Sequence, residues 1–386
     1  MATCPQCRTH YDDNVTKCPS DGEALLPDDA AASLDSDLAE GTKVGEYRVQ
    51  AKIGEGGFGA VYRALHPVIG KHAAIKVLNR QFSSNPQIVS RFISEARAVN
   101  EIRHRNIIDI FSFGTIPDGR QYFVMELLEG IPLDHFLDQH GRLSPEDAFP
   151  ILRGVARALD AAHAKGIIHR DLKPENVFLT FDEDHVVQPK LLDFGIAKLV
   201  DDGMSGHRTR TGVPIGTPGY MSPEQARGQH IDHRADIYAF GVLCHLILTG
   251  KLLFEAESPL DMLVKHMTDP PPRASEVSEV KPELDAPLQR MLAKLPADRP
   301  DSVGAALDEL MGAAESAGYD VKASTPRSTV SVFSARGGAA VIVSDRKLGT
   351  AKTVVVSSAT PGPAETEVRK TPRRLLPLAA AAFVVG

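Results

Sequence analysis

The stretch "HRDLKPEN", residues 169–176, decides how this chain is read. Asp171, Lys173 and Asn176 stand close together, and Pro174 keeps them out of a helix interior. Downstream, "LLDFG" reads as a short strand through Leu191 and Leu192 that delivers Asp193 beside Gly195. Asn176 and Asp193 carry hard oxygen donors of the kind Mg²⁺ prefers. Asp171 offers a carboxylate to an attacking hydroxyl, and Lys173 a positive charge for a moving phosphoryl group. Phosphoryl transfer asks for these parts, together with a loop over the phosphates and a cation on them.

Both missing parts lie upstream. "IGEGGFGAV" (53–61) places Gly54, Gly56 and Gly59 between two strand-like runs. Such a triplet can be a plain hairpin turn, and a dinucleotide fold would need a helix next. Here a strand follows, and a hairpin tip without side chains can lower its amides onto phosphates. In "AAIKVL" Lys76 sits inside an apolar strand, which is costly unless its charge is paired. The apolar spacing of Ile88, Phe92, Ala96 and Val99 predicts a helix over 86–101. That helix brings Glu95 near its inward face, and a Lys76–Glu95 pair is expected. The plain alternative is an edge lysine and a surface glutamate.

The glycine loop, "AAIK", "HRDLKPEN", "DFG" and "SPE", in this order and spacing, resemble the eukaryotic-type protein kinases over about residues 47–312. "LKPEN" resembles the serine/threonine class, and "GTPGYMSPEQA" with "DHRADIYAFG" the bacterial receptor-like members. The resemblance implies Met125 as gatekeeper and adenine-edge contacts from the backbones of Glu126 and Leu128. It also implies nucleotide contacts from Ile53, Val61 and Ala74 above the base and Leu179 below it. Asp236 would brace the catalytic-loop backbone, and Arg299 would pair with Glu224. Thr217 would hydrogen-bond Asp171 and Lys173, whereas Thr209 and Thr211 would be phospho-acceptors. Arg170, beside Asp171, is placed to bind a phosphate on that nearby loop. Ser222, Ala73 and Tyr238 depart from commoner choices, but none removes a catalytic atom.

The expected fold is α+β and bilobal: a β-rich N-lobe with one regulatory helix, then a mostly helical C-lobe. Ser144 as N-cap and Pro145 at the first helical position open a long helix that closes on Gly166. "RADIYAFGVLCHLILTG" is apolar nearly all round and reads as a buried helix. Two more helices are expected around 284–293 and 301–313.

The 386 residues carry a net charge of −7, which argues against a nucleic-acid binder. Residues 1–40 hold nine Asp/Glu against two Lys/Arg, and residues 321–374 hold ten Lys/Arg against three Asp/Glu. Such asymmetry marks appended segments. Residues 1–26 carry Cys4, Cys7 and Cys18, spaced to suit tetrahedral Zn²⁺ and resembling a small zinc-ribbon-like module. Asp21 stands where a fourth cysteine is expected, with His10 the other candidate ligand. Residues 27–46 read as an acidic linker, 47–312 as the kinase domain, and 313–374 as a disordered basic Ser/Thr-rich juxtamembrane segment. "LLPLAAAAFVVG" (375–386) is 12 mostly apolar residues and reads as the start of a truncated transmembrane helix, which would span about 20 residues. Arg373 and Arg374 before it would mark the cytoplasmic side, leaving the kinase domain cytoplasmic and anchored to the cell membrane.

Together these features predict a non-specific serine/threonine protein kinase (EC 2.7.11.1). It would use ATP with Mg²⁺ or Mn²⁺, act on Ser/Thr of proteins and on itself in trans, and bind no nucleic acid. A pseudokinase scaffold is the alternative; the full set Lys76, Glu95, Asp171, Asn176 and Asp193 argues against it. A small-molecule kinase is disfavoured by "GTPGYMSPEQ", which resembles a peptide-docking platform.

Overall fold

The computed structural model describes residues 2–4, 10–12, 15–19, 22, 24–27, 37–56, 59–181, 186–194 and 218–322. Near the start, β1 (Ala2–Thr3), β2 (His10–Tyr11) and β3 (Leu26–Pro27) form a small antiparallel sheet in the order β2-β1-β3. Cys4 and Cys18 are buried there. Cys7 and Asp21 lie outside the described residues, and no group of three metal-ligating side chains gathers among those described.

The N-lobe is a six-stranded antiparallel sheet, ordered β4-β5-β6-β7-β9-β8. Its strands are β4 (Lys43–Val44), β5 (Tyr47–Gly56), β6 (Gly59–Leu65), β7 (His72–Leu78), β8 (Ile110–Thr115) and β9 (Gln121–Met125). Strand alternation sorts β7 between two cores. Ala73, Ile75 and Val77 pack with Tyr62 on one face, while Ala74 and Leu78 join the main core on the other. Lys76 shares the second face by parity, so its side chain leaves the sheet on the side of the main core.

The acidic linker ends earlier than expected. Val44 is fully buried in a strand paired with β5, and Asp37 meets Lys52 at 2.7 Å. After a short helix α1 (Arg80–Ser83), α2 runs Pro86–Ile102, opened by Asn85, whose side chain accepts from Gln87 N and Ile88 N. Phe92, Ala96 and Val99 are its buried face.

In the C-lobe, β10 (Gly130–Pro132) and α3 (Leu133–His140) precede α4 (Pro145–His163). Ser144 Oγ accepts from Asp147 N, the N-cap that the sequence predicts. A 3₁₀ turn, Pro174–Asn176, leads into β11 (Val177–Phe181) and β12 (Val187–Leu191), which with β10 form a three-stranded sheet. Beyond lie α5 (Pro223–Ala226), α6 (Arg234–Thr249), α7 (Pro259–Thr268), α8 (Ala274–Val277), α9 (Asp285–Met291) and α10 (Val303–Ser316). Nearly all of α6 is buried, and Gly250 ends it in a left-handed conformation (φ +72°), which glycine adopts without a Cβ penalty.

The C-terminal boundary is corrected. α10 continues to Ser316, and Ala314, Ala317 and Val321 pack in the main core, so residues 313–322 belong to the fold. Among the described residues no helix is long and apolar enough to cross a membrane; residues 375–386 lie outside them.

Candidate active site

The loop at 169–176 owes its shape to a carboxylate from another element. Asp236, in the first turn of α6, is 1 % exposed. Its oxygens accept from the backbone N–H groups of His169 and Arg170, each at 2.8 Å, and meet His163 Nε2 at 2.7 Å. Burial alone would raise its pKa. The His163 hydrogen bond and charge, with the His169 contacts, outweigh burial and hold it below the usual carboxylate range. These contacts fix Arg170 at φ +64°, a left-handed conformation that costs about 1–3 kcal/mol in a non-glycine residue. Gln225 Nε2 donates to Arg170 O at 2.9 Å, tying α5 to the same loop.

His169 is fully buried, and burial lowers its pKa against the pull of Asp236 and Asp171. The neutral ring fits its contacts: Nδ1 accepts from Asp171 N at 3.3 Å, and Nε2 donates to Leu192 O at 3.1 Å. It therefore links the loop carrying Asp171 to the segment bearing Asp193, and its ring lies 4.7 Å from that of Phe194.

Around this frame the polar groups converge. Asn176 Nδ2 donates to Asp171 O at 2.8 Å and to Asp171 Oδ2 at 3.2 Å. Lys173 Nζ stands 3.4 Å from Asp171 Oδ2. Leu192 N donates to Asn176 O at 2.9 Å, which sets Asn176 beside the segment carrying Asp193. Lys76 Nζ reaches both oxygens of Asp193, at 2.9 and 2.8 Å. The Glu95 backbone lies in α2, but its side chain is outside those described, and so is the expected Lys76–Glu95 pair. Because Asn176 spends its amide nitrogen on Asp171, its carbonyl oxygen remains the group available to a cation. With the Asp193 carboxylate this donor set fits Mg²⁺.

Ile53, Val61, Ala74, Met125, Leu128 and Leu179 join one apolar cluster across the two lobes. Ala74 pairs with Met125, and Leu179 with Ile131. Gly54 pairs with Val61, and Gly56 with Gly59, so β5 and β6 stay paired up to these two glycines. A Cβ on Gly59 would stand 1.9 Å from Val77 O, so the hairpin lies on β7 with no room for a side chain. The Glu126 carboxylate accepts from Asp109 N and from Lys190 Nζ at 2.6 Å.

Glu224 and Arg299 form a two-bond ion pair at 2.7 and 2.8 Å, with side chains 4 % and 0 % exposed. Arg299 lies over the Tyr238 ring at 5.0 Å. The Tyr238 hydroxyl pairs with His266 Nδ1 at 2.9 Å, both residues fully buried. Burial, with the Lys294 charge beside it, pushes His266 down to about 4. Between pH 6.5 and 4 the unfolded chain therefore binds a proton that the folded one refuses, and stability is lost as pH falls through that window. We expect the melting temperature to fall there and His266→Gln to flatten the slope.

His163, His169, Gln225 and His266 were not foreseen. Two of them carried a signal: His169 opens the stretch 169–176, and Gln225 completes the Ser222–Gln225 capping box that the structure forms. Thr209, Thr211 and Thr217 lie outside the described residues.

An N-lobe sheet with a glycine-bearing hairpin, a paired strand lysine and a carboxylate loop braced from beneath mark a two-lobed fold of the protein kinase class. Residues 47–310 match the protein kinase domain. The serine/threonine-protein kinase Pkn1 of Myxococcus xanthus is 44% identical over 266 residues, covering 69% of this chain and 38% of its own. PknA of Mycobacterium tuberculosis is 38% identical over 267 residues, 68% of this chain and 60% of its own. The crystal structure of the Mycobacterium tuberculosis PknI kinase domain is matched over 72% of this chain and all of its own, with TM-score 0.57 and 27% identity. The chain belongs to the protein kinase family, among the bacterial eukaryotic-type serine/threonine kinases. It spans less than two thirds of the length of these curated relatives.

Proposed function

We propose that this chain is a serine/threonine protein kinase that uses ATP and Mg²⁺, modifies proteins and phosphorylates itself. The observation that carries the reading is the meeting of Asp171, Lys173 and Asn176 beneath the Lys76–Asp193 pair. Asp171 takes the proton of the acceptor hydroxyl as its oxygen bonds to the γ-phosphorus and the bond to ADP breaks. Lys173 offsets charge on the transferred group, and Lys76 holds the phosphates of the bound nucleotide. Asn176 and Asp193 would hold Mg²⁺, which neutralises phosphate charge when bound. Ile53, Val61, Ala74 and Leu179 enclose the base beside Met125, and the Glu126 and Leu128 backbones meet its edge. Gly54, Gly56 and Gly59 let the hairpin close over the phosphates.

Incubating the chain with radiolabelled ATP and mapping its phosphates by mass spectrometry tests the proposal. Label on serine or threonine is expected, and none on a well-folded chain would sink it. Thr209 and Thr211 are the proposed first acceptors, with Arg170 as phosphate partner and Thr217 holding Asp171 and Lys173. Thr209→Ala/Thr211→Ala is expected to lower activity on an added protein substrate at least about tenfold, since a phosphate there would order its loop through charge-assisted bonds. Equal activity would remove the switch.

The segment 1–26 is proposed to bind Zn²⁺ through Cys4, Cys7 and Cys18, with Asp21 or His10 completing the set. Two of these thiols are already buried in a segment with few other core residues. Elemental analysis is expected to return one zinc per chain. A chelator should unfold this module and leave phosphoryl transfer intact. The chain is further proposed to be held at the membrane by a helix beginning near residue 375, which keeps the kinase domain on the cytoplasmic side.

A further inference from the structure

Arg153 and Arg157 follow each other at helical spacing on the face of α4 that packs against β12. With Arg105 and Gln188 they line a groove of about 210 Å³. Gly154 lets helix and strand touch at its floor, since a Cβ there would stand 2.2 Å from Pro189 Cγ. Arg105 donates to Gln188 Oε1 at 2.7 Å. No carboxylate lines the groove among the described residues, and neither Arg105 nor Arg157 makes an ion pair among them. Neighbouring groups register the excess charge. His104 is lowered by burial and then by Arg105, Arg157 and Lys190; Arg153 is lowered by burial and by Arg157.

The last described residues lie beside this groove. Val321 is buried in the core, and its carbonyl accepts from Arg153 Nη2. Ser324, Thr325, Ser328 and Thr329 follow directly. At about 3.3 Å per residue, Thr325 reaches roughly 13 Å from Val321, enough to turn back across the groove. Unmodified, this tail is basic and the arginines repel it. Each phosphate brings about −1.5 to −2 charges and three acceptor oxygens, which suit two-bond contacts with guanidinium groups.

We propose that the tail, phosphorylated within Ser324–Thr329, docks in the Arg105–Arg153–Arg157 groove of its own kinase domain. The event rests on the self-phosphorylation proposed above, but the site itself does not. Autophosphorylation then converts a repelled tail into a bound one and fixes where the following segment leaves the domain.

The test uses a fluorescent synthetic peptide of residues 320–332 carrying phosphate on Thr325, titrated onto the 386-residue Asp171→Asn chain. It is expected to bind at least about tenfold tighter than the unphosphorylated peptide, a difference of one charge-assisted contact or more. Arg105→Gln/Arg157→Gln, added to the same chain, should abolish that advantage while leaving the melting temperature unchanged, because both side chains are exposed. Equal binding of the two peptides overturns the proposal. An advantage that survives the double substitution overturns it as well. Since synthesis supplies the phosphate, a wild-type chain that transfers none to itself, while the Asp171→Asn chain binds the phosphopeptide, defeats the kinase reading and leaves the groove standing.

Discussion

Asp171→Asn is expected to lower phosphoryl transfer by about 10²–10⁴-fold, the usual worth of a positioned general base. Asparagine keeps an oxygen for the 3.2 Å contact from Asn176 Nδ2 but cannot take up the hydroxyl proton. It also removes the charge 3.4 Å from Lys173. The loop should nevertheless keep its shape, because Asp236 and Gln225 hold its backbone from outside. Nucleotide affinity is therefore expected to stay within about twofold of wild type, and the melting temperature within about 2 °C. Transfer retained at the wild-type rate would show that Asp171 is not the base. Loss of nucleotide binding as well would show that its role is structural.

Arg299→Ala is expected to have the largest effect on stability. The guanidinium is fully buried, and besides Glu224 it serves Arg234 O at 2.8 Å and Ala293 O at 2.9 Å. Its loss leaves the Glu224 carboxylate buried without a partner, which costs about 3–5 kcal/mol. For a domain of this size that is a fall in melting temperature on the order of 10 °C. Glu224→Gln/Arg299→Met should lose less than the sum of its single changes, because the unpaired charge is gone. Strict additivity in thermal melts would mean that the two residues do not stabilise the fold as a pair.

Much of this was legible in the sequence because it is local. Ser144 and Pro145 begin α4, Asn85 and Pro86 begin α2, and alternation in "HAAIKVL" puts Lys76 on the face opposite Ile75. The region 313–322 was misread for the opposite reason. Its short run of small and polar residues shows no apolar stripe of its own, yet Ala314, Ala317 and Val321 find a core to enter. α7 was overlooked although Ser258 and Pro259 cap its start, because its apolar face is short. His163 gave no sign at all: nothing in "DAAHAKG" says that its ring will meet a carboxylate 73 residues away.

The sequence alone determined which groups can do chemistry and what kind of element carries each one. Periodicity, caps and glycines act over a few residues and survive without the rest of the chain. Only the tertiary structure decided the meetings that no motif announces. Lys76 lies on Asp193, 117 residues away, and His163 on Asp236, 73 residues away. Packing and desolvation choose such partners: a buried charge takes whichever group the fold brings within reach, and spacing along the chain carries no record of that choice.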